Sequence, residues 1–442
     1  MIHYQQKIRQ QIVLPAMQFI NQEKSGGIVL GLAVVLALVL ANSPLRFDYA
    51  HFLHHHFGFV VDGQSCLNFS LEHWINDGLM SMFFFVVGLE LKREFIGGEL
   101  RDLRKVTLPV AAAIMGMVFP ALIYLVFNGG TPVAHGWGIP MATDIAFALA
   151  VVYLLGDRVP VSAKVFLTTL AIVDDLGSVL VIALFYTSQL SVGNLLVGLA
   201  FLAVMFVGNK MGVKSIWFYG ILGIGGVWTA FLLSGIHATI AAVLIAMVIP
   251  ADSRISEDSF VARMRKLTHR FDKAESNDVR TLEPDQVEII ARVKTDANQA
   301  LPPLQSLEHS LEHSLHPFVS FFVMPVFALG NAGVSFVDMD LAQLFDNHIA
   351  VGVMLGLLAG KPLGILSSVW LMERLGLCRR SKQLTWRRLA GLGFLASIGF
   401  TMSMFVTTLA FNSAEAYGQA KVGIFAASIL GGIIGYRILS RR

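Results

Sequence analysis

The chain has 442 residues, of which 55% are hydrophobic and only 14% are charged, and its mean hydropathy is +0.66. A water-soluble protein of this length has no interior large enough for so much apolar surface, so the composition predicts a protein that is solvated by lipid. The formal net charge of +3 comes from basic residues dispersed among short loops. This excludes the clustered basic surface that a nucleic-acid partner requires.

A transmembrane helix needs roughly 20 mainly apolar residues. The sequence contains twelve low-charge stretches of about that length. We therefore expect an all-α integral membrane protein in which residues 1–442 form one membrane domain. The predicted spans are centred on residues 26–42, 74–91, 106–127, 138–155, 163–186, 194–208, 216–233, 235–250, 316–336, 349–372, 389–411 and 420–437. The first run ends at Val39 and Ala41 in a way that resembles a signal-peptide cleavage site, and cleavage there would leave eleven spans.

Basic residues fall almost entirely on one side of these spans. Thirty of the 33 Lys and Arg residues lie in the terminal segments and loops of that side, whereas Arg46 and Lys421 lie opposite and Lys361 lies inside an apolar run. Because positively charged loops stay in the cytoplasm, both termini are predicted to be cytoplasmic.

Residues 45–70 are predicted to lie outside the membrane as a β-hairpin. Two short apolar runs, Phe57–Val61 and Cys66–Phe69, flank the turn sequence Asp62-Gly63. A lone two-stranded hairpin is marginally stable, so pairing with the same hairpin of a second subunit would stabilise it. We therefore expect a homodimer; the alternative is an ordinary exposed loop.

Residues 251–315 have a different composition from the spans around them. They are charged, contain proline and are poor in aromatic residues, which predicts a long and partly disordered cytoplasmic loop. This loop divides the predicted spans into eight before it and four after it.

Four ionisable residues lie well inside predicted spans, namely Asp144, Asp174, Asp175 and Lys361. Each costs roughly 2.5–3.5 kcal/mol at the bilayer centre on insertion scales, so four unpaired charges would cost about 10–14 kcal/mol. That cost is comparable with the whole stability of a typical domain. We therefore expect the four residues to face one another or a wet cavity, which indicates a functional site; a buried structural ion pair is the alternative.

Two predicted spans contain residues that interrupt a helix. Pro140 removes a backbone donor shortly before Thr143 and Asp144, and the span near residue 400 contains Gly393 and Gly399. Irregular backbone at membrane depth is tolerated only where it is buried in protein or lines a cavity. These features predict two broken helices that cross at mid-membrane, as in transporters that are built from inverted repeats.

The buried charges have different expected tasks at such a crossing. Helix N-termini carry partial positive charge and C-termini carry partial negative charge, so Asp144 is expected to neutralise the former and Lys361 the latter. Asp174 and Asp175 are neighbours on one helix and point about 100° apart, so one should face a cation and the other Lys361 or the protein. Burial disfavours an ionised carboxylate, and a hard cation needs anionic or carbonyl oxygen ligands. Cation binding would then require proton release, which is an exchange mechanism.

Over nearly its whole length the chain resembles the NhaA family of bacterial sodium/proton antiporters, in which inverted repeats and broken helices are already known. The motifs that carry the resemblance are Trp74-Ile75-Asn76-Asp77-Gly78, Gly88-Leu89-Glu90-Leu91-Lys92-Arg93-Glu94, Ala142-Thr143-Asp144-Ile145-Ala146-Phe147, Ala171-Ile172-Val173-Asp174-Asp175, Ser234-Gly235-Ile236-His237-Ala238-Thr239, Leu311-Glu312-His313, Gly360-Lys361-Pro362-Leu363-Gly364 and Gly399-Phe400-Thr401-Met402-Ser403.

This resemblance implies an electrogenic, pH-regulated transporter that exports sodium or lithium in exchange for protons and uses no cofactor beyond the transported ions. It implies a homodimer in the lipid of a bacterial inner membrane. It also implies that Asp175 is the main cation ligand, that Asp174 contributes or pairs with Lys361, and that Thr143 and Asp144 shape the site.

A pH-sensing cluster at a cytoplasmic funnel is implied as well. Its members would be Glu90, Arg93, Glu94, Glu312, His313 and His316, with His237 as a further candidate. Histidines among carboxylates change charge near neutral pH, which agrees with such a role. The alternatives are a solvated rim for the cluster and a satisfied buried histidine for His237.

Other functions remain open from the sequence. A sodium-driven symporter of the same architecture would need a cavity for an organic solute, and no residue cluster dedicated to one is visible. His309-Ser310-Leu311-Glu312-His313 matches the HxxEH pattern of zinc hydrolases, but it arises from a near-repeat of Leu-Glu-His-Ser at a loop edge. An aspartyl protease would need two aspartates from separate segments, and Asp144 would have to supply one of them.

Overall fold

The computed structural model describes residues 23–61, 64–98, 103–187, 190–251, 265, 306–335, 348–378, 380–411 and 413–441. Most of these residues are helical. The helices are α1 (Glu23–Ala41), α2 (Arg46–Leu53), α3 (Leu71–Ile96), α4 (Leu103–Asn128), α5 (Ile145–Leu155), α6 (Val161–Phe185), α7 (Val192–Lys210), α8 (Ile216–Ser234), α9 (Ala238–Val248), α10 (Leu307–Asn331), α11 (His348–Arg374), α12 (Trp386–Ala396), α13 (Phe400–Ala410) and α14 (Ala414–Ser440). A 3₁₀ helix, Ala134–Met141, precedes α5.

Within the described part of the chain, nine helical segments are long and apolar enough to cross a membrane, and eleven are if each of two bent helix pairs is one span. The bent pairs are α1 with α2, at 115°, and α12 with α13, at 45°. The chain is therefore a multi-pass, mainly helical membrane protein. The predicted span 235–250 is shorter than expected, because Gly235 ends α8 with a φ of 84° and α9 begins only at Ala238. The eleven residues of α9 extend about 16 Å, roughly half of a hydrocarbon core.

Residues 45–70 contain a short helix as well as a hairpin. Strand β1 (His56–Val61) pairs antiparallel with β2 (Gln64–Ser70), with an irregular register between Phe57 and Phe59. The irregularity falls at Gly58, where a Cβ would lie 2.6 Å from the Cα of Asn68. Helix α2, which occupies the first part of this segment, was not predicted from the sequence. The homodimer that the hairpin predicts stays a prediction.

Most of the predicted loop 251–315 lies outside the described residues, and its C-terminal boundary is wrong. Residues 307–315 are helical, because Ser306 accepts a hydrogen bond from the His309 amide at 3.0 Å and so caps the N-terminus of α10. Leu307 and Leu311 recur four residues apart and pack on one apolar cluster.

Buried apolar side chains join the two halves of the chain. Phe84 of α3, Phe327 of α10 and Phe405 of α13 lie in one core cluster, with ring centroids 5.5 Å apart for Phe84 and Phe405. In a second cluster, Leu167 of α6 packs with Leu389 of α12. Lipid tails are as apolar as these side chains, so van der Waals contact between closely packed side chains, rather than transfer out of water, stabilises this arrangement. This packing holds α6, α12 and α13 around the buried charges.

Candidate functional site

Two helix interruptions lie against each other in the interior. The backbone is extended at Ala142 and Asp144, between the 3₁₀ helix and α5, and a second break separates α12 from α13. The amide of Asp144 donates a hydrogen bond of 2.6 Å to the carbonyl oxygen of Ile398, so one break is bonded directly to the other. The breaks occur where Pro140 and Gly399 led us to expect them.

Asp144 accepts hydrogen bonds from both helices that begin at these breaks. Its Oδ1 accepts a hydrogen bond from the amide of Phe147 at 3.1 Å. Its Oδ2 accepts two more from Thr401, one from the amide at 3.0 Å and one from the hydroxyl at 2.5 Å. Only 1% of Asp144 is exposed. One carboxylate therefore caps the N-termini of α5 and α13, where a negative charge is stabilising.

Lys361 is fully buried and is paired with Asp174. Its ammonium contacts Asp174 Oδ2 and donates to the hydroxyl of Thr143 at 2.5 Å. Thr143 Oγ1 in turn lies 2.6 Å from Asp174 Oδ2 and 3.1 Å from the carbonyl oxygen of Ala396. Thr143 therefore links the Lys361 ammonium to the last carbonyl oxygen of α12, and the neutralisation of helix C-termini by Lys361 stays a prediction.

Asp175 differs from the other buried carboxylates. It is 2% exposed, and it makes no hydrogen bond or ion pair with any residue that the structure describes. The charge of Asp144 is compensated by two helix N-termini and that of Asp174 by its ion pair with Lys361, whereas Asp175 makes neither kind of contact. A buried carboxylate without a partner is costly, so this position favours a proton or a cation as its partner.

Further oxygens near the breaks also lack partners among the described residues. They are Asp174 Oδ1 and Ser178 Oγ on α6 and Ser403 Oγ on α13. Ser403 Oγ lies beside the second break, since a Cβ at Gly399 would be 2.5 Å from it and 2.8 Å from the Ala142 carbonyl oxygen. Buried hydroxyl and carboxylate oxygens are the ligands that a hard cation prefers.

Thr401, Ser178 and Ser403 were missed as site residues. Thr401 and Ser403 belong to the segment that the sequence analysis recognised as interrupted, but hydroxyls are common in membrane helices and their spacing carries no further signal. Ser178 follows Asp175 by three residues on α6, so helical periodicity places the two on neighbouring faces.

The predicted pH-sensing residues separate into two groups on α3 and α10. Arg93 of α3 pairs with Glu312 of α10 and lies 3.2 Å from Glu94, and Glu90 lies within electrostatic reach. Glu312 is 7% exposed. His313 and His316 instead lie on the exposed face of α10. The structure therefore brings the carboxylates and Arg93 together and leaves these two histidines outside that contact.

His237 lies in a different cluster. Its Nε2 is 3.1 Å from the carbonyl oxygen of Tyr186, and its Nδ1 is 4.0 Å from Asp77, which also contacts His73 Nε2 at 3.2 Å. The Tyr186 hydroxyl donates to the His135 carbonyl oxygen at 2.6 Å.

The hydrolase alternatives conflict with this geometry. Both carboxylate oxygens of Asp144 are occupied by helix N-termini, which leaves Asp144 unable to complete a catalytic dyad. His309 and His313 stack with their ring centroids 6.3 Å apart, but Glu312 is bound to Arg93, and no group of three His, Cys, Asp or Glu side chains that could hold a metal ion is found in the described part of the chain.

Comparisons with known proteins agree with one another. The family described as Na+/H+ antiporter 1 matches residues 17–439. The Na(+)/H(+) antiporter NhaA 2 of Syntrophotalea carbinolica is 47% identical over 434 residues, which is 97% of this chain and 96% of that protein. The Na(+)/H(+) antiporter NhaA of Wolinella succinogenes is 44% identical over 429 residues, covering 96% and 93% of the two chains. The Na(+)/H(+) antiporter NhaA of Helicobacter pylori strain 26695 is 45% identical over 431 residues, covering 97% and 96%.

Proposed function

Because the chain belongs to the Na+/H+ antiporter 1 family, whose members are secondary transporters and not enzymes, we propose that it exports Na+ in exchange for protons. We propose further that it also accepts Li+, that exchange moves net charge, and that pH controls the rate. We propose that the protein lies in a bacterial inner membrane with both termini in the cytoplasm. Its hairpin is proposed to pair with the hairpin of a second subunit to form a homodimer.

The isolation of Asp175 supports the proposed site most directly. This carboxylate is buried and makes no hydrogen bond or ion pair with a described residue, so direct compensation of its charge would come from an ion that it binds. A proton or a hard monovalent cation such as Na+ or Li+ can each compensate a single carboxylate with oxygen neighbours, and the two cannot occupy it together. Competition at Asp175 then couples the uptake of one ion to the release of the other.

Asp174 and Lys361 are proposed to release a second proton when Na+ binds. In the described arrangement Asp174 Oδ2 is held by Lys361 and Thr143, while its Oδ1 has no partner. When Asp174 turns toward the bound cation, Lys361 loses its counter-charge and gives up a proton. Together with the proton from Asp175, this releases two protons for each Na+, and transport becomes electrogenic.

Asp144 is proposed to hold the site in shape rather than to carry the ion. Its oxygens are already committed to the amides at the starts of α5 and α13. Its negative charge offsets the partial positive charge of both N-termini, which would otherwise repel a cation beside Asp175. The two interruptions are proposed to be equivalent elements of an inverted repeat within a twelve-span architecture.

The cluster of Arg93, Glu90, Glu94 and Glu312 is proposed to control the rate with pH. It joins α3 to α10 through the Arg93–Glu312 ion pair, and protonation of these carboxylates would loosen that joint. His313, His316 and His237 are retained as secondary candidates, since each is a histidine near charged groups of α3 or α10. A sodium-coupled solute symporter is the second candidate function, and no contact in the described site favours it.

Proteoliposomes with an acidic interior and a pH-sensitive dye inside test this proposal. Addition of Na+ or Li+ outside should alkalinise the interior, whereas K+ should not. Clamping the membrane potential at zero with K+ and valinomycin should accelerate the response if charge moves. Absence of a response to Na+ between pH 6 and 9 would refute antiport, and uptake of a labelled solute driven by Na+ would establish the symporter instead.

A further inference from the structure

Lys421 of α14 is a buried cation that the proposed exchange does not use. Only 6% of it is exposed, although its side chain ends in an ammonium group. It makes no hydrogen bond and no ion pair with any residue within the described ranges. Its single described contact is with the ring of Tyr417, whose centroid lies 3.9 Å from Nζ.

A buried ammonium needs more compensation than one aromatic ring supplies. Charged groups that leave water are almost always paired or hydrogen-bonded, because the hydration they lose is far larger than a cation–π contact returns. Lys361 illustrates the usual solution, since its ammonium is bound by Asp174 and Thr143. The position of Lys421 therefore calls for a negative partner.

The space for such a partner is present beside Lys421. A cavity of about 640 Å³ is lined by α2, by the end of β2, and by residues at the ends of α3, α10, α13 and α14. Ser335 lines the same cavity, and its hydroxyl is buried without a partner in the described structure. Asn76 also faces it, with its Oδ1 already accepting a hydrogen bond of 2.8 Å from Asn331.

Hydrogen-bond donors around this cavity remain available for a ligand. Asn76 uses its oxygen for Asn331, so its amide protons remain for a ligand. The Tyr417 hydroxyl is committed to Asn331 Oδ1 at 3.1 Å. The carboxylate that lines the cavity, Glu72, acts on Lys421 through space without forming an ion pair with it, and lies 3.9 Å from His54 Nδ1. The cavity is thus lined by the ammonium of Lys421, the hydroxyl of Ser335 and the amide group of Asn76. None of these three donors is bonded to an acceptor among the described residues.

We propose that Lys421, Ser335 and Asn76 form a binding site for a small monovalent anion, for which chloride is the probe. The anion accepts hydrogen bonds from these three side chains and compensates the buried ammonium. By joining α3, α10 and α14 it stabilises the side of the molecule that is predicted to be external. This inference does not depend on the proposed ion exchange, and it is tested without measuring transport.

Thermal unfolding of the purified full-length protein in detergent tests the site. Sodium and ionic strength are held constant while gluconate is replaced by chloride. We expect the midpoint to rise saturably, by about 1.5 °C once chloride exceeds its Kd tenfold. Lys421→Met should abolish the rise and Ser335→Ala should shift it to higher chloride. Lys210→Met, which removes an exposed lysine over Phe206, should leave it unchanged.

A charge change inside the cavity separates an anion site from its rivals. Glu72→Gln removes a negative charge from the lining and should therefore tighten chloride binding. If Glu72 is instead the counter-ion of Lys421, the same variant lowers the unfolding midpoint in gluconate and does not improve the response to chloride. If Lys421 is uncharged, Lys421→Met raises the midpoint in gluconate and chloride has no effect in either protein. Each of these two results would overturn the proposal.

The source of the anion is decided by a lipid comparison. Stabilisation by phosphatidylglycerol in the absence of chloride, with no response to chloride itself, would mean that a lipid headgroup occupies the site and that the proposal is wrong. A bromide-soaked crystal supplies independent support if anomalous density lies within hydrogen-bonding distance of Lys421 Nζ.

Discussion

The dual role of Asp144 makes a quantitative prediction. Asp144→Ala leaves the amides of Phe147 and Thr401 without acceptors at two buried helix N-termini. A buried polar group that loses its partner costs about 1–3 kcal/mol, so the two amides together should cost about 2–6 kcal/mol of unfolding free energy. An ordinary exposed N-cap is worth about 1 kcal/mol. Asp144→Ala should therefore exceed the effect of a single cap.

A series of variants separates the contributions. Thr401→Val removes one hydroxyl bond to Asp144 and should cost about 1 kcal/mol. Asp144→Asn keeps one acceptor oxygen but turns an NH₂ group toward one of the two amides, so it should fall between Thr401→Val and Asp144→Ala. Ser413→Ala is the matched control, because Ser413 caps α14 alone with a bond of 3.3 Å to the Ala416 amide.

Thermal unfolding midpoints in detergent, compared at one scan rate, give the order of these variants. The expected order of destabilisation is Asp144→Ala, then Asp144→Asn, then Thr401→Val, with Ser413→Ala no larger than the last. If Asp144→Ala is no more destabilising than Ser413→Ala, the reasoning that one carboxylate supports both broken helices is refuted.

Three further outcomes are expected. Lys361→Met should destabilise the protein by about 3–5 kcal/mol because it leaves Asp174 buried and ionised, and adding Asp174→Asn should recover much of that loss in the same unfolding assay; additive losses would contradict a direct pair. Arg93→Gln should shift the pH at which Na+-driven exchange switches on, while Arg437→Gln on α14 should not, and identical pH–rate curves would remove the Arg93 cluster from regulation. Deleting residues 57–69, whose flanking residues are register partners, should give a monomer by native mass spectrometry, and a persistent dimer would show that the hairpin does not hold the subunits together.

The sequence predicted those parts of the fold that depend on local composition. Apolar run length located the spans, and the cost of charge in lipid identified Asp144, Asp174, Asp175 and Lys361 as a group. Helix ends were less predictable, as α10 shows. Six of its first eight residues are polar, and they are helical because Leu307 and Leu311 pack on a neighbouring cluster and Ser306 caps the end.

The partners of the buried charges were beyond sequence reasoning. Asp174 and Asp175 are adjacent and chemically identical, so only the three-dimensional position of α11 decides that Asp174 meets Lys361. Likewise, Thr401 is 257 residues from Asp144, and no local pattern indicates that its amide is capped by that carboxylate. Periodicity gives the face on which a residue lies, but tertiary packing decides what that face meets.

Calorimetric titration of the purified protein with NaCl tests whether sodium displaces a proton at Asp175. Titration at one alkaline pH, in two buffers of different ionisation enthalpy, gives both the affinity for Na+ and the number of protons released. We expect saturable binding with release of up to two protons in the wild type and loss of both signals in Asp175→Asn. Asp77→Asn, which changes a buried carboxylate beside His73, should keep both signals. Sodium binding of unchanged affinity in Asp175→Asn would show that Asp175 is not the cation ligand.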